Sequence, residues 1–76
     1  MFRMLNRNET YLKAFGERIR QLRENKKISL TRLAYDNDIN KATLSMIENG
    51  KNDPQLSTIK RISLALDISV KELFDF

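Results

Sequence analysis

Apolar side chains recur along this chain at the three- and four-residue intervals of a helix, and no stretch shows the two-residue alternation of a half-buried strand. Leu12, Phe15, Ile19 and Leu22 follow at spacings of 3, 4 and 3, one stripe of a helix over about residues 9–25. Asn8 offers it an N-cap, while Glu9 in the first turn and Lys26 and Lys27 past the end complement its dipole. Ser29 caps a second, short helix to about residue 37, whose inward face is Leu33 and Ala34. Asn37 and Asp38 tolerate turn and left-handed conformations, Ile39 supplies one apolar plug, and Asn40 can cap a third helix over 41–48 with Leu44 and Ile47 inward. Gly50 stops that helix in the left-handed conformation that glycine accepts. Leu56, Ile59, Ile62 and Leu66 predict a fourth helix over 56–66, its sides covered by Leu64 and Ala65. Ser69 caps a last short one with Val70, Leu73 and Phe74 as its apolar set.

Five helices in 76 residues leave room only for short connections, so the expected class is all-α, a compact five-helix bundle. Residues 9–76 form the expected domain. Residues 1–8 carry Arg3 and Arg7 among apolar neighbours without clear periodicity, as either a loose arm or an added helical turn.

Composition narrows the chemistry. Without cysteine there is no disulfide framework or thiolate metal site, and without histidine the commonest metal ligand and general base is missing. Asp36, Asp38, Glu48 and Asp53 read as cap, turn and pairing residues, so neither a catalytic residue nor a metal or other cofactor is expected. No run approaches a membrane span or a signal-peptide core, which makes a soluble, cytoplasmic protein the expectation. The net charge of +4 favours a polyanionic partner, but it is unevenly placed: +5 over residues 1–28, zero over 29–51 and −1 over 52–76.

Residues 29–51 nevertheless have the outline of a helix-turn-helix, in which one helix steadies a second that can lie in the DNA major groove. The outward face of the second is Lys41, Thr43, Ser45 and Met46, short and mostly neutral, with no acid before Glu48. Arg18, Arg20 and Arg23 fall between the stripe positions of the first helix and read as a solvated face.

The residues FGERIRQLRENKKIS, the Leu33-Ala34 pair, INKATLSMIENGK, Asp53-Pro54-Gln55-Leu56 and LALDISVKELF, in that order, resemble the lambda repressor/Cro-type (Xre-like) helix-turn-helix family over about four fifths of the chain. The resemblance implies a lambda repressor-like DNA-binding domain. It assigns base reading to Lys41, Ala42, Thr43, Ser45 and Met46. Lys41 can donate to guanine O6 and N7, Ser45 to either kind of base edge, and Ala42 or Met46 can lie against a thymine methyl. It assigns phosphate contacts to Asn49, Lys51 and Asn52 and to the starts of the second and fourth helices, with Ser29, Thr31, Arg32 and Ser57. It also pairs Arg23 with Glu48 as a structural tie between the first and third helices.

Three departures stand out: Leu30 where the family often has glutamine, Asn37-Asp38 where it has an apolar residue and glycine, and a loop after Gly50 poorer in arginine. The implied function is a sequence-specific transcription regulator, a repressor acting as a homodimer on palindromic double-stranded DNA, with no small-molecule ligand evident. Residues 68–76 or the N-terminal segment are the expected dimer surfaces. Within the family the chain is similar to phage-type repressors and to restriction–modification controller proteins, Leu33-Ala34-Tyr35 hinting at the latter. The alternative is an antitoxin-like or protein-interaction module with weak DNA binding.

Overall fold

In the computed structural model the backbone is described from residue 2 and side chains from residue 9. The helices are α1 (Phe2–Asn25), α2 (Leu30–Asp36), α3 (Lys41–Glu48), α4 (Leu56–Ala65) and α5 (Val70–Leu73), with no strand among the described residues. None of the helices is long and apolar enough to cross a membrane. α1 begins well before the expected start, so Asn8 lies inside it instead of capping it. No proline or glycine interrupts the chain before Gly16, and asparagine alone costs a helix too little to end it. The basic arm considered for Arg3 and Arg7 concerns side chains outside the described residues.

The other N-termini follow local chemistry. Ser29 accepts from the Arg32 amide, Asn40 from the Thr43 amide, and Ser69 and Glu72 form a reciprocal capping box. At the C-termini a recurrent device appears. Lys27, Asp38, Gly50 and Asp67 all have positive φ, and the next amide in each case bonds back to the carbonyl five residues earlier: Ile28 to Arg23, Ile39 to Ala34, Lys51 to Met46, Ile68 to Ser63. Three of the four following residues are isoleucines that pack on or in the core, so those three turns also seal an apolar edge.

That core is Phe15 and Ile19 of α1, Leu33 and Ala34 of α2, Ile39 in the turn, Leu44 and Ile47 of α3, Ile62 of α4, with Leu66 and Leu73. Leu12 and Leu22, the ends of the α1 stripe, are only half-buried. The α4 expectation needs correction. Leu56 is 77% exposed and Leu64 65% exposed. The inward row is half-buried Ile59 with buried Ile62, Ser63 and Leu66; Leu56 extrapolates it one turn past the core, and Leu64 lies about 200° around the helix from Ile62. Ser63 tolerates burial because its hydroxyl donates to the Lys60 carbonyl at 2.7 Å.

Gly16 sets how closely α1 meets α3. A Cβ there would stand 2.4 Å from the Ile47 carbonyl oxygen and 2.5 Å from that of Glu48, both backbone atoms that cannot step aside. Gly16→Ala should therefore lower stability in urea unfolding by about 3 kcal/mol, at the upper end of overpacking costs. A loss below about 0.5 kcal/mol, within the usual range of surface changes, would mean that the two helices have slack.

Candidate nucleic-acid interface

α3 divides into two faces. Leu44, Ile47 and Glu48 are buried, whereas Lys41, Ala42 and Met46 are exposed and Thr43 and Ser45 half-exposed. The five base-reading candidates therefore lie together on the first two turns, beginning at a helix start that Asn40 caps. Thr43 is less free than its neighbours, since both its amide and its hydroxyl point to Asn40 Oδ1, at 3.0 and 3.4 Å.

The one acid of α3 is withdrawn from this face. Glu48 Oε2 accepts from Arg23 Nε at 2.7 Å and Oε1 from Arg23 Nη2 at 3.0 Å, a bidentate pair with the two side chains only 2% and 12% exposed. Arg23 Nη1 also donates to the Ile28 carbonyl at 2.9 Å, which ties the α1–α2 turn to the same knot. Arg20 Nε stands 3.6 Å from Glu48 Oε1. With two guanidiniums around one buried carboxylate, the acid contributes no net negative charge toward a DNA backbone.

The hydrogen bonds that Arg23 donates to the Glu48 carboxylate hold its pKa above the ordinary guanidinium range, outweighing the desolvation that pushes the other way. A pKa raised on folding adds stability below the unfolded value and loses it only as pH rises through the folded one. The pair's contribution through Arg23 is thus lost only in strong alkali.

The expected solvated face of α1 is partly engaged. Arg18 Nη2 donates to the Glu72 carbonyl of α5 at 2.9 Å, and Arg20 Nη2 to Asn49 Oδ1 at 3.0 Å. Stripe spacing cannot show such reaches, because the partners are 54 and 29 residues away.

The phosphate candidates fall into two groups. Asn49, Lys51 and Asn52 follow the end of α3, Asn49 and Lys51 exposed and Asn52 half-buried. Gly50 between them has φ +71°, and a Cβ there would stand 2.8 Å from Lys13 Cα, so this loop lies directly on α1. The second group sits at helix starts. Ser29, Thr31, Arg32 and Ser57 are exposed, but the Ser29 hydroxyl is occupied as a cap and Arg32 Nε is paired with Asp36 at 3.1 Å. The start of α4 has Gln55 at its cap position and no side-chain cap bond there. Leu30, in the place of the family's glutamine, packs half-buried against the core. Asp38 lines a shallow hollow with Tyr35, Asn40 and Arg61.

Residues 16–75 match the family described as "Helix-turn-helix domain". The chain belongs to the helix-turn-helix family of DNA-binding transcription regulators. It is 38% identical over 63 residues to control protein C.BamHI of Bacillus amyloliquefaciens, a match covering 82% of this chain and 78% of that protein. It is 40% identical over 63 residues to the transcriptional repressor RghR of Bacillus subtilis, covering 82% of this chain and 47% of the repressor. The chain therefore corresponds to most of the control protein and to about half of the repressor. Among solved structures, the restriction-modification controller protein C.AhdI from Aeromonas hydrophila superposes with a TM-score of 0.79 at 34% identity, covering 82% of this chain and 94% of that one.

The Arg23–Glu48 knot generates a stability test. Glu48→Ala should cost about 3 kcal/mol by leaving a buried guanidinium unpaired, whereas the double change Arg23→Met with Glu48→Met should recover most of that loss. Thermal unfolding in which the double variant is as unstable as the single one would show that the knot's value is packing and not charge pairing.

Proposed function

We propose that this protein is a sequence-specific repressor acting in the cytoplasm as a homodimer on a palindromic operator, with α3 in the major groove. The observation that carries this reading is the division of α3. Lys41, Ala42, Ser45 and Met46 are presented outward on a capped helix whose sole acid is buried against arginines. Such a face can approach a polyanion, and its short side chains admit direct contact with base edges. Lys41 is the donor for guanine, Ser45 reads either kind of edge, and Ala42 and Met46 supply apolar contact to thymine methyls. Thr43 stands beside them.

Register along the duplex comes from phosphate contacts by Asn49, Lys51 and Asn52 and from the starts of α2 and α4, where Ser29, Thr31, Arg32 and Ser57 sit. With Leu30 packed inward, the first turn of α2 offers Thr31 in place of the family's glutamine. The names of the relatives, controller proteins and repressors, support the regulatory role.

A homodimer is expected because one domain with a handful of base contacts falls short of the discrimination a genome demands. Within residues 68–76, Phe74 stacks on Phe15 at 4.8 Å and is half-buried, while Phe76 leans on Tyr11 at 5.4 Å and remains 49% exposed. Leu64, which precedes that segment and is 65% exposed, is the better anchor for a second copy. Leu64→Asp should convert a dimer to a monomer in sedimentation without loss of helicity; an unchanged dimer would place the subunit contact elsewhere.

Selection of bound duplexes from a random DNA pool tests the function itself. A pseudo-palindrome with half-site centres about 10 base pairs apart, or a near multiple, is the expected result. Recovery of no motif above background would sink the operator-binding reading and favour a protein-interaction module.

A further inference from the structure

Asn49 is assigned to phosphate, yet its side-chain amide is engaged at both ends. Oδ1 accepts from Arg20 Nη2 at 3.0 Å, and Nδ2 donates to the Ser45 carbonyl at 2.9 Å. Turning the amide over would set its NH2 against a guanidinium N–H and its oxygen against a carbonyl oxygen, so only one orientation suits both neighbours. In that orientation the group left unspent is the second N–H of Nδ2, a donor that an anion can accept. With the amide reversed, an oxygen would stand there and repel a phosphate.

The location makes this orientation matter. Asn49 ends α3, where the last carbonyls give a partial negative charge that disfavours an anion unless a donor is held in front of it. Arg20 is itself held on its other sides, by Glu17 Oε1 at 3.6 Å from Nη1 and Glu48 Oε1 at 3.6 Å from Nε, with its side chain 35% exposed. It is thus braced within the protein more than it is extended toward solvent. α1 supplies two arginines, one turn apart, to consecutive residues of the reading unit. Arg23 secures Glu48 and Arg20 secures Asn49.

We propose that Arg20 is a positioning residue for DNA binding, holding the Asn49 amide with its N–H donor presented to a backbone phosphate. The proposal rests on the DNA-binding reading above, and it assigns Arg20 no phosphate of its own.

The test uses a fluorescein-labelled, mixed-sequence duplex of about two helical turns, since phosphate contacts operate without an operator. Anisotropy titrations over a salt series compare the wild type with Arg20→Met, Arg20→Lys, Asn49→Ala and the Arg20→Met/Asn49→Ala double variant. Arg20→Met and Asn49→Ala should each weaken binding by about 3- to 10-fold, the range of one hydrogen bond. The double variant should bind no more weakly than Asn49→Ala, and Arg20→Lys should stay within about 3-fold of the wild type. The salt slope should be the same for all four variants. The Asn49 side-chain NH2 resonances should shift in Arg20→Met without DNA, a readout that a change in affinity alone would not move.

Unchanged binding by Arg20→Met overturns the proposal while leaving the DNA-binding reading standing. Additive losses, with the salt slope falling by about 0.9 in Arg20→Met, overturn it in favour of direct phosphate contact by Arg20. Failure of the wild type to bind the duplex even at low salt overturns both readings together.

Discussion

The two parallel hydrogen bonds between Arg23 and Glu48, with a third from Arg23 to the Ile28 carbonyl, join α1, α3 and the entry to α2 at one buried point. Every position proposed for DNA contact, except Ser57 at the start of α4, lies on those elements or in the turn that follows α3. A buried ion pair adds little net stability over a well-packed apolar substitute, because desolvation offsets most of its Coulomb energy. What this pair supplies is discrimination among arrangements. Leu44 and Ile47 could bury themselves with α3 slid or rotated slightly, but the fork of the guanidinium accepts the carboxylate in one geometry. The same contact removes the acid of α3 from the helix's exposed face, the one proposed to meet DNA, so the demand for a defined fold and the demand for a favourable electrostatic face are met by a single side chain.

Close packing does the rest. With no side chain at Gly16, the α1 backbone can reach the carbonyls at the end of α3, which brings Arg20 and Arg23 within range of Asn49 and Glu48. A bulkier residue would push those carbonyls away and lengthen both interactions. The left-handed turns after α1, α2 and α4 then redirect the chain over four-residue connections while feeding isoleucines back to the apolar interior. For so short a chain, whose surface is large relative to its volume, ending helices this way contributes core as well as direction.

How much was legible in the amino-acid pattern depended on the range of the interaction. Caps at Ser29, Asn40 and Ser69 involve amides three residues away and could be placed from the order of residues alone. The α1 and α3 stripes were equally readable, since burial follows helical period. Periodicity does not state where an apolar interior ends, which is why Leu56 and Leu64 were credited with packing they do not make. The left-handed turn at Lys27 carried no signal because lysine has no special tolerance of positive φ, and Asp67 shares with Asp38 only a mild one. The start of α1 was misplaced because nothing near Asn8 forbids a helix and nothing requires one. Arg23 with Glu48 came from family resemblance, while Arg20 with Asn49 emerged only when the two helices were set side by side. The outward positions of α3, proposed above for base reading, were legible as a face, though no residue pattern specifies which bases such a face would meet.

The two-faced character of α3 bears on how such a protein acquires a new target. Lys41, Ala42, Ser45 and Met46 lie outside the buried core cluster, so substitution at those positions, proposed above to read bases, is largely uncoupled from folding. Asn49 does not share that freedom, because its amide is committed to α1 and to the preceding turn of its own helix. On the proposed reading, the fold therefore separates a phosphate-facing position tied into the packing from an exposed set of base-facing positions, so that what is recognised can change without changing how the duplex is held.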